Sequence, residues 1–283
     1  MSVDIASLPK ITKPVQVLAI TGGKGGVGKT HVAVNVGVCL AKMGKKVYLF
    51  DADLGLANVD VVLGLKTTLT INDVLQHRCE LEDIIQTGPY DLHVIPGASG
   101  VQSIVQMHAH DYVGLISSFN SLAGKLDTLI IDTAAGISDS VVRFAQAANE
   151  ILVVVCDEPA SIMDAYALIK VLHLSYGVDR FRIVVNMSSS LYEAKKLFAK
   201  LTNVADKYLN VVLHFLGWIP EDELVRKAIK QQCAVVEAYP SCKASECFFK
   251  LAQNISTLPL PKGSSKDVQF FIEQMIRTQI VVQ

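Results

Sequence analysis

The chain reads as an α/β protein built on a doubly wound, mostly parallel sheet of about seven to eight strands. Three observations predict this class. Apolar, β-rich runs alternate with helical patterns along most of the 283 residues. Most of these runs are continuous rather than alternately apolar and polar, the mark of strands buried on both faces. The first strand-to-helix junction is glycine-rich: Thr21-Gly22-Gly23-Lys24-Gly25-Gly26-Val27-Gly28-Lys29-Thr30. In such a sheet, ligands are expected at the carboxyl ends of the strands.

Taken in order, residues 1–14 form a leader with Pro9 and Pro14 and no periodicity, expected to be mobile. The run Val15-Gln16-Val17-Leu18-Ala19-Ile20 predicts a strand over 15–21. The helical pattern of 30–43 follows, and Val47-Tyr48-Leu49-Phe50 sets a second strand over 46–51. Further strands are expected at 92–95, 127–132, 150–156, 181–186 and 211–217. The helices between and after them are expected at about 110–123, 138–148, 161–175, 190–206, 222–231 and 243–257. No repeat, low-complexity tract or second domain interrupts 15–257. The breaker-rich stretch Leu258-Pro259-Leu260-Pro261-Lys262-Gly263-Ser264-Ser265 marks a linker over 258–266. A last amphipathic helix is expected over 267–283, with Val268, Phe271, Ile272, Met275 and Val282 on one side. That stripe suits docking on protein or lying in a membrane interface, and from Lys266 onward Lys266 and Arg277 are the only cations.

Composition narrows the function classes. With 51% hydrophobic and 19% charged residues the chain can bury a full core. No run approaches the ~18 apolar residues of a membrane span, and Met1-Ser2-Val3-Asp4 lacks the basic start of a secretory signal, so a cytoplasmic location is expected. A net charge of −1 provides no global field for nucleic acid, and direct binding to it is not expected. The six cysteines contain no C-x-x-C pair and are expected to be reduced, mostly buried thiols rather than metal ligands.

The glycine-rich junction matches G-x-x-x-x-G-K-[ST] between a strand and a helix, the context that makes it a phosphate cradle. Glycines let successive backbone N–H groups converge on phosphate oxygens, and the helix that follows adds its positive end. Lys29 offers a point charge and the Thr30 hydroxyl a ligand for Mg²⁺. The nucleotide-binding set is therefore Gly23, Lys24, Gly25, Gly26, Val27, Gly28, Lys29 and Thr30, with His31 next along. Asp51 and Asp53 end the second strand and, if extended geometry persists, share a face. Asp132 ends another apolar strand ahead of Thr133-Ala134-Ala135-Gly136, like a Walker B strand and its switch. Asp132 is expected in the Mg²⁺ shell, and the Gly136 N–H is expected to face the γ-phosphate. Transfer to water needs a carboxylate to orient the nucleophile. Asp53 is the candidate, with Asp51 supporting the metal shell through water; sequence alone allows the reverse assignment. Asn186, at a strand end, offers an amide that suits an adenine edge, and Pro220-Glu221-Asp222 offers a turn around the ring. Asn186 as an ordinary turn residue fits the spacing equally well.

Lys24 to Thr30 resembles the deviant Walker A loop of the MinD/ParA ATPases, and Asp51-Ala52-Asp53-Leu54-Gly55-Leu56-Ala57-Asn58-Val59-Asp60 looks like that family's first switch. The likeness continues through Asp132 to Ile137 and Ile219 to Asp222. Within the family, Ile95 to Gly100, Cys156 to Lys170 and the stretch from Arg226 to Ser245 are most similar to the flagellar-number regulators of polarly flagellated bacteria. The resemblance implies an ATP- and Mg²⁺-dependent homodimer in which Lys24 of one subunit reaches the partner's phosphates. It further implies Asp53 as the hydrolytic residue, Asn58 near the nucleotide, and Asn186 and Pro220 to Asp222 beside adenine. Implied partners are the flagellar master transcription activator and a signal-recognition-type flagellar GTPase, with residues 267–283 meeting the membrane and placing the protein at the inner membrane or cell pole. Alternatives on the same scaffold are a division-site or polar-positioning ATPase, an iron–sulfur carrier, a metabolic ligase and a DNA-segregating ATPase. The carrier would need interfacial cysteines and the ligase a further substrate-binding region.

Overall fold

In the structure, a computed structural model, residues 15–98, 115, 118–122 and 124–260 are described. Eight strands form one sheet: β1 (Gln16–Gly22), β2 (Val47–Ala52), β3 (Gln86–Thr87), β4 (His93–Ile95), β5 (Thr128–Ala135), β6 (Glu150–Val155), β7 (Arg180–Ser188) and β8 (Val212–Pro220). Their order is β3-β4-β2-β5-β1-β6-β7-β8, with only β3 antiparallel to its neighbour. The parallel pairs need crossovers, and the helices supply them.

The central strands are apolar on both faces because each face meets a helical layer. Leu18 and Ile20 of β1 join one core with α1 (Lys29–Lys42) and the C-terminal α10 (Lys243–Ser256). Ala19, one residue out of phase, joins the opposite core with α5 (Asp139–Ala147), α6 (Pro159–Tyr176) and α7 (Leu191–Tyr208). This is the period-two alternation of a strand, expressed between two oils rather than between oil and water.

The expected strands and long helices are present within a few residues. The differences are short elements. α2 (Val59–Leu63), α3 (Ile71–Leu75) and α4 (Leu81–Ile84) fill 59–84 with five, five and four residues. α8 (Glu223–Lys230) is followed by α9 (Val235–Ala238), also of four residues. A helix barely longer than one turn shows no periodicity; what marks α3 is its capping box, Thr70 with Asp73. β5 runs on to Ala135 instead of stopping at Asp132, because Ala52 and Gly22 continue to pair with it on either side. The helix expected at about 110–123 falls mostly outside the described residues, as do the leader, the linker beyond Leu260 and the helix expected at 267–283.

Phe248 of α10 is 1% exposed within the core shared with α1. Phe248→Ala should lower unfolding free energy by about 3–5 kcal/mol, measured by urea denaturation; a loss below about 1 kcal/mol would contradict this packing.

Candidate phosphate and metal site

The loop leaves β1 at the sheet centre and α1 begins at Lys29, with Gly28 at its N-cap. Gly28 has φ +89, a conformation that favours glycine, and a Cβ there would sit 2.2 Å from Nδ2 of Asn186. Gly23 passes so close to α6 that a Cβ would lie 2.1 Å from the Asp164 carbonyl carbon. Gly25 and Gly26 face open space. No side chain caps α1 and no acid occupies its first turn, which leaves the first amides of a 14-residue helix for an anion.

Beneath the loop is a buried charge cluster. β2 and β5 pair Asp51 directly with Asp132, both 1% exposed. Burial, and secondly the neighbouring Asp51, push the Asp132 carboxyl well above the usual carboxylate range; the Thr30 hydroxyl and Lys29 oppose that rise. Asp132 Oδ1 is buried and has no hydrogen-bond partner. Burial also drives Asp51 up to about 7, although three backbone N–H groups favour its charged form. Lys29, 8% exposed, is lowered by burial while Asp132 and Asp53 favour its charge. The Thr30 hydroxyl, an orphaned carboxylate oxygen and a second carboxylate on the adjacent strand are hard oxygen donors, and they fit Mg²⁺.

The switch segment is held in a form that the sequence did not predict. β2 ends at Ala52, with Asp53 the next residue beyond it. The Asp51 carboxylate gathers the N–H groups of Asp53 (3.2 Å), Asn58 (2.8 Å) and Val59 (2.9 Å). Asp51 thereby folds residues 53–59 around itself and starts α2. The Asn58 amide donates to Leu56 O at 2.5 Å. Gly136, φ +92, donates its N–H to Gly22 O at 3.1 Å, so this amide is engaged on the loop backbone rather than aimed at a γ-phosphate.

The other expected residues fall in three places. Lys24 is 36% exposed on the loop's rim and pairs with Glu158, which raises its pKa. Burial lowers the His31 pKa. Asn186 is buried, and its amide donates to Val27 O at 2.9 Å, so at least one donor serves the loop rather than a base. Asp222 caps α8, accepting from Leu224 N at 2.9 Å, and also accepts from Ala244 N at 3.3 Å, while Glu221 pairs with Arg226. The Asp222 carboxylate is thus engaged by two backbone N–H groups, whereas Glu221 is held only by a surface ion pair. Sequence reasoning missed Glu158 and Gly97. A Cβ on Gly97 would lie 2.5 Å from Asp51 O, where the 96–98 segment packs on the end of β2. The available signals were Glu158 immediately before Pro159, the N-cap and N1 of α6, and the Pro96-Gly97 turn. Of the cysteines, Cys39, Cys156 and Cys242 are buried and Cys79, Cys233 and Cys247 half-buried, less uniformly inside than expected. No cluster of three or more metal-ligating His, Cys, Asp or Glu occurs among the described residues.

Asp51 is protonated more readily folded than at its ordinary 3.8, and Asp132 shifts the same way. Their contribution is therefore largest in acid and is lost as pH rises through about 7. Nucleotide-free protein should show a melting temperature that declines between about pH 5 and 8, and Asp132→Asn should flatten the decline. An unchanged slope in Asp132→Asn would remove the carboxylate pair as its cause.

Comparison with known proteins follows the same lines. The ParA family profile, described as NUBPL iron-transfer P-loop NTPase, matches residues 13–256. The chain is 52% identical to the antiactivator FleN of Pseudomonas aeruginosa over 93% of this chain and 94% of that one. It is 32% identical to the flagellum site-determining protein YlxH of Helicobacter pylori, over 83% and 80% respectively. Among solved structures, the cell division ATPase MinD of Pyrococcus furiosus superposes with a TM-score of 0.72 at 28% identity, covering 86% of this chain and 99% of that one. MinD of Pyrococcus horikoshii complexed with Mg-ADP gives 0.71 at 27%, covering 86% and 96%. With its phosphate loop, parallel sheet and paired aspartates in the positions described, the chain belongs to the ParA family of P-loop NTPases.

Proposed function

We propose that this ParA-family ATPase is a switch controlling flagellar number and placement: ATP assembles a dimer, hydrolysis dissolves it, and the dimer restrains a flagellar transcription activator. The observation that carries the reading is the separation of the two loop lysines. Lys29 lies inside the buried cluster beside Asp132, whereas Lys24 stands on the rim, paired with the exposed Glu158. We infer that this lysine, outside its own cradle, meets phosphates presented by a second copy, exchanging Glu158 for them. The flagellar assignment rests on the similarity to FleN and YlxH along most of the chain.

Mg²⁺ would be held by Thr30 and Asp132, with Asp51 behind, and supplies charge neutralisation at the phosphates. The chain's own groups do the rest. The α1 amides and Lys29 bind and orient the phosphates, and Asp53 orients the attacking water once the switch segment closes. Asp51 sets that segment's shape through its three N–H contacts. The signal-recognition-type GTPase and the membrane are further proposed partners, the latter through 267–283. Among the described residues no helix is long and apolar enough to cross a membrane. Similarity to MinD proteins favours a division-site role as the second reading.

Size-exclusion chromatography separates these claims. Wild type should shift from monomer to dimer with ATP but not ADP. Lys24→Ala should bind ATP and remain monomeric; normal dimerisation by this variant would refute the role of Lys24 in trans. Asp53→Ala should bind ATP, persist as a dimer and lose turnover by at least about a hundredfold; near-normal hydrolysis would exclude it as the water-positioning group. Deleting the gene should alter flagellar number per cell. Normal flagella with misplaced septa would favour the division-site reading instead.

A further inference from the structure

We infer that Asn186 is a positioning residue that sets the shape of the phosphate loop and ties it to the base side of the site. The inference rests on the loop being a polyphosphate cradle. Three features along the end of β7 support it. First, the Asn186 amide donates to Val27 O at 2.9 Å in a buried setting and occupies the space above Gly28, which is glycine with φ +89. A carbonyl turned away from the loop's interior leaves the adjoining amides free to converge on an anion. Second, the residue after Asn186 is strained: Met187 has φ +54, unusual for a long side chain, and is 42% exposed. The β7–β8 register shifts across this point, between Val185 and Ser188. The bulge turns Asn186 under the loop instead of letting β7 continue in register. Third, Ser188 O accepts from Glu221 N at 3.1 Å, so the turn expected beside the base is bonded to the residue two positions beyond Asn186. A continuous path of backbone and amide bonds thus runs from Glu221 through the Met187 bulge to the loop at Val27.

A base contact and a loop brace make different predictions for a ligand without a base. Binding of Mg-ATP and of Mg-tripolyphosphate would be measured by calorimetry for wild type and Asn186→Ala, with ligand-free melting temperatures alongside. If Asn186 braces the loop, tripolyphosphate affinity falls about tenfold, and by the same factor as ATP affinity. If tripolyphosphate affinity is unchanged while ATP affinity falls, or if neither changes, the inference is overturned. Should Asn186→Ala melt early, Asn186→Asp serves instead: it keeps the shape but places an acceptor against Val27 O, and it should also weaken tripolyphosphate. Wild-type tripolyphosphate affinity in Asn186→Asp would refute the brace. Failure of wild type to bind tripolyphosphate at all would count against the cradle itself, a result distinct from the failure of Asn186.

Discussion

Two carboxylates side by side in a dry sheet are the constraint around which the site is arranged. Asp51 and Asp132 are register partners on β2 and β5, both nearly inaccessible to water. Burying one anion is costly, and burying two adjacent ones is tolerated only where charge can be shared or neutralised. Here Asp51 is satisfied by three backbone amides, whereas Asp132 has the Thr30 hydroxyl, the nearby Lys29 charge and one oxygen without a partner. The asymmetry divides the labour. Asp51 holds a loop, and Asp132 keeps one oxygen without a hydrogen-bond partner.

Much of the surrounding architecture follows from placing these groups. β1 lies beside β5, so the phosphate loop leaves the sheet next to Asp132, and β2 on the other side brings the switch segment next to the same carboxylate. The apolar strands make the cluster dry, which strengthens every charge interaction within it. Asp51's contacts also set where α2 begins, and they tie Asp53, Asn58 and Val59 to one carboxylate. A loop organised by one buried carboxylate has few independent ways to move, as suits a segment that must report one state or another.

The rim of the site is built differently. Lys24 and Glu158 are exposed, and a surface ion pair of this kind is worth about 0–1 kcal/mol. The buried cluster is therefore held far more firmly than the rim.

Sequence alone determined the sheet class, the long helices, the loop and the acidic residues beneath it. Continuous apolar runs and a G-x-x-x-x-G-K-T spacing are local patterns, legible without knowledge of what packs on what. Only tertiary structure decided what the polar groups do. Asp51 and Asp53 look equivalent in Asp51-Ala52-Asp53, yet one is sealed against β5 and bonded to three amides while the other lies beyond the strand. Asn186 and Val27 are 159 residues apart and nothing local pairs them. The Gly136 amide, the contact of Asp222 with Ala244 N and the Glu158 partner of Lys24 likewise depend on segments apart in sequence meeting. A side chain's propensity is written in its neighbours along the chain, but its hydrogen-bond partners and its dielectric are set by neighbours in space.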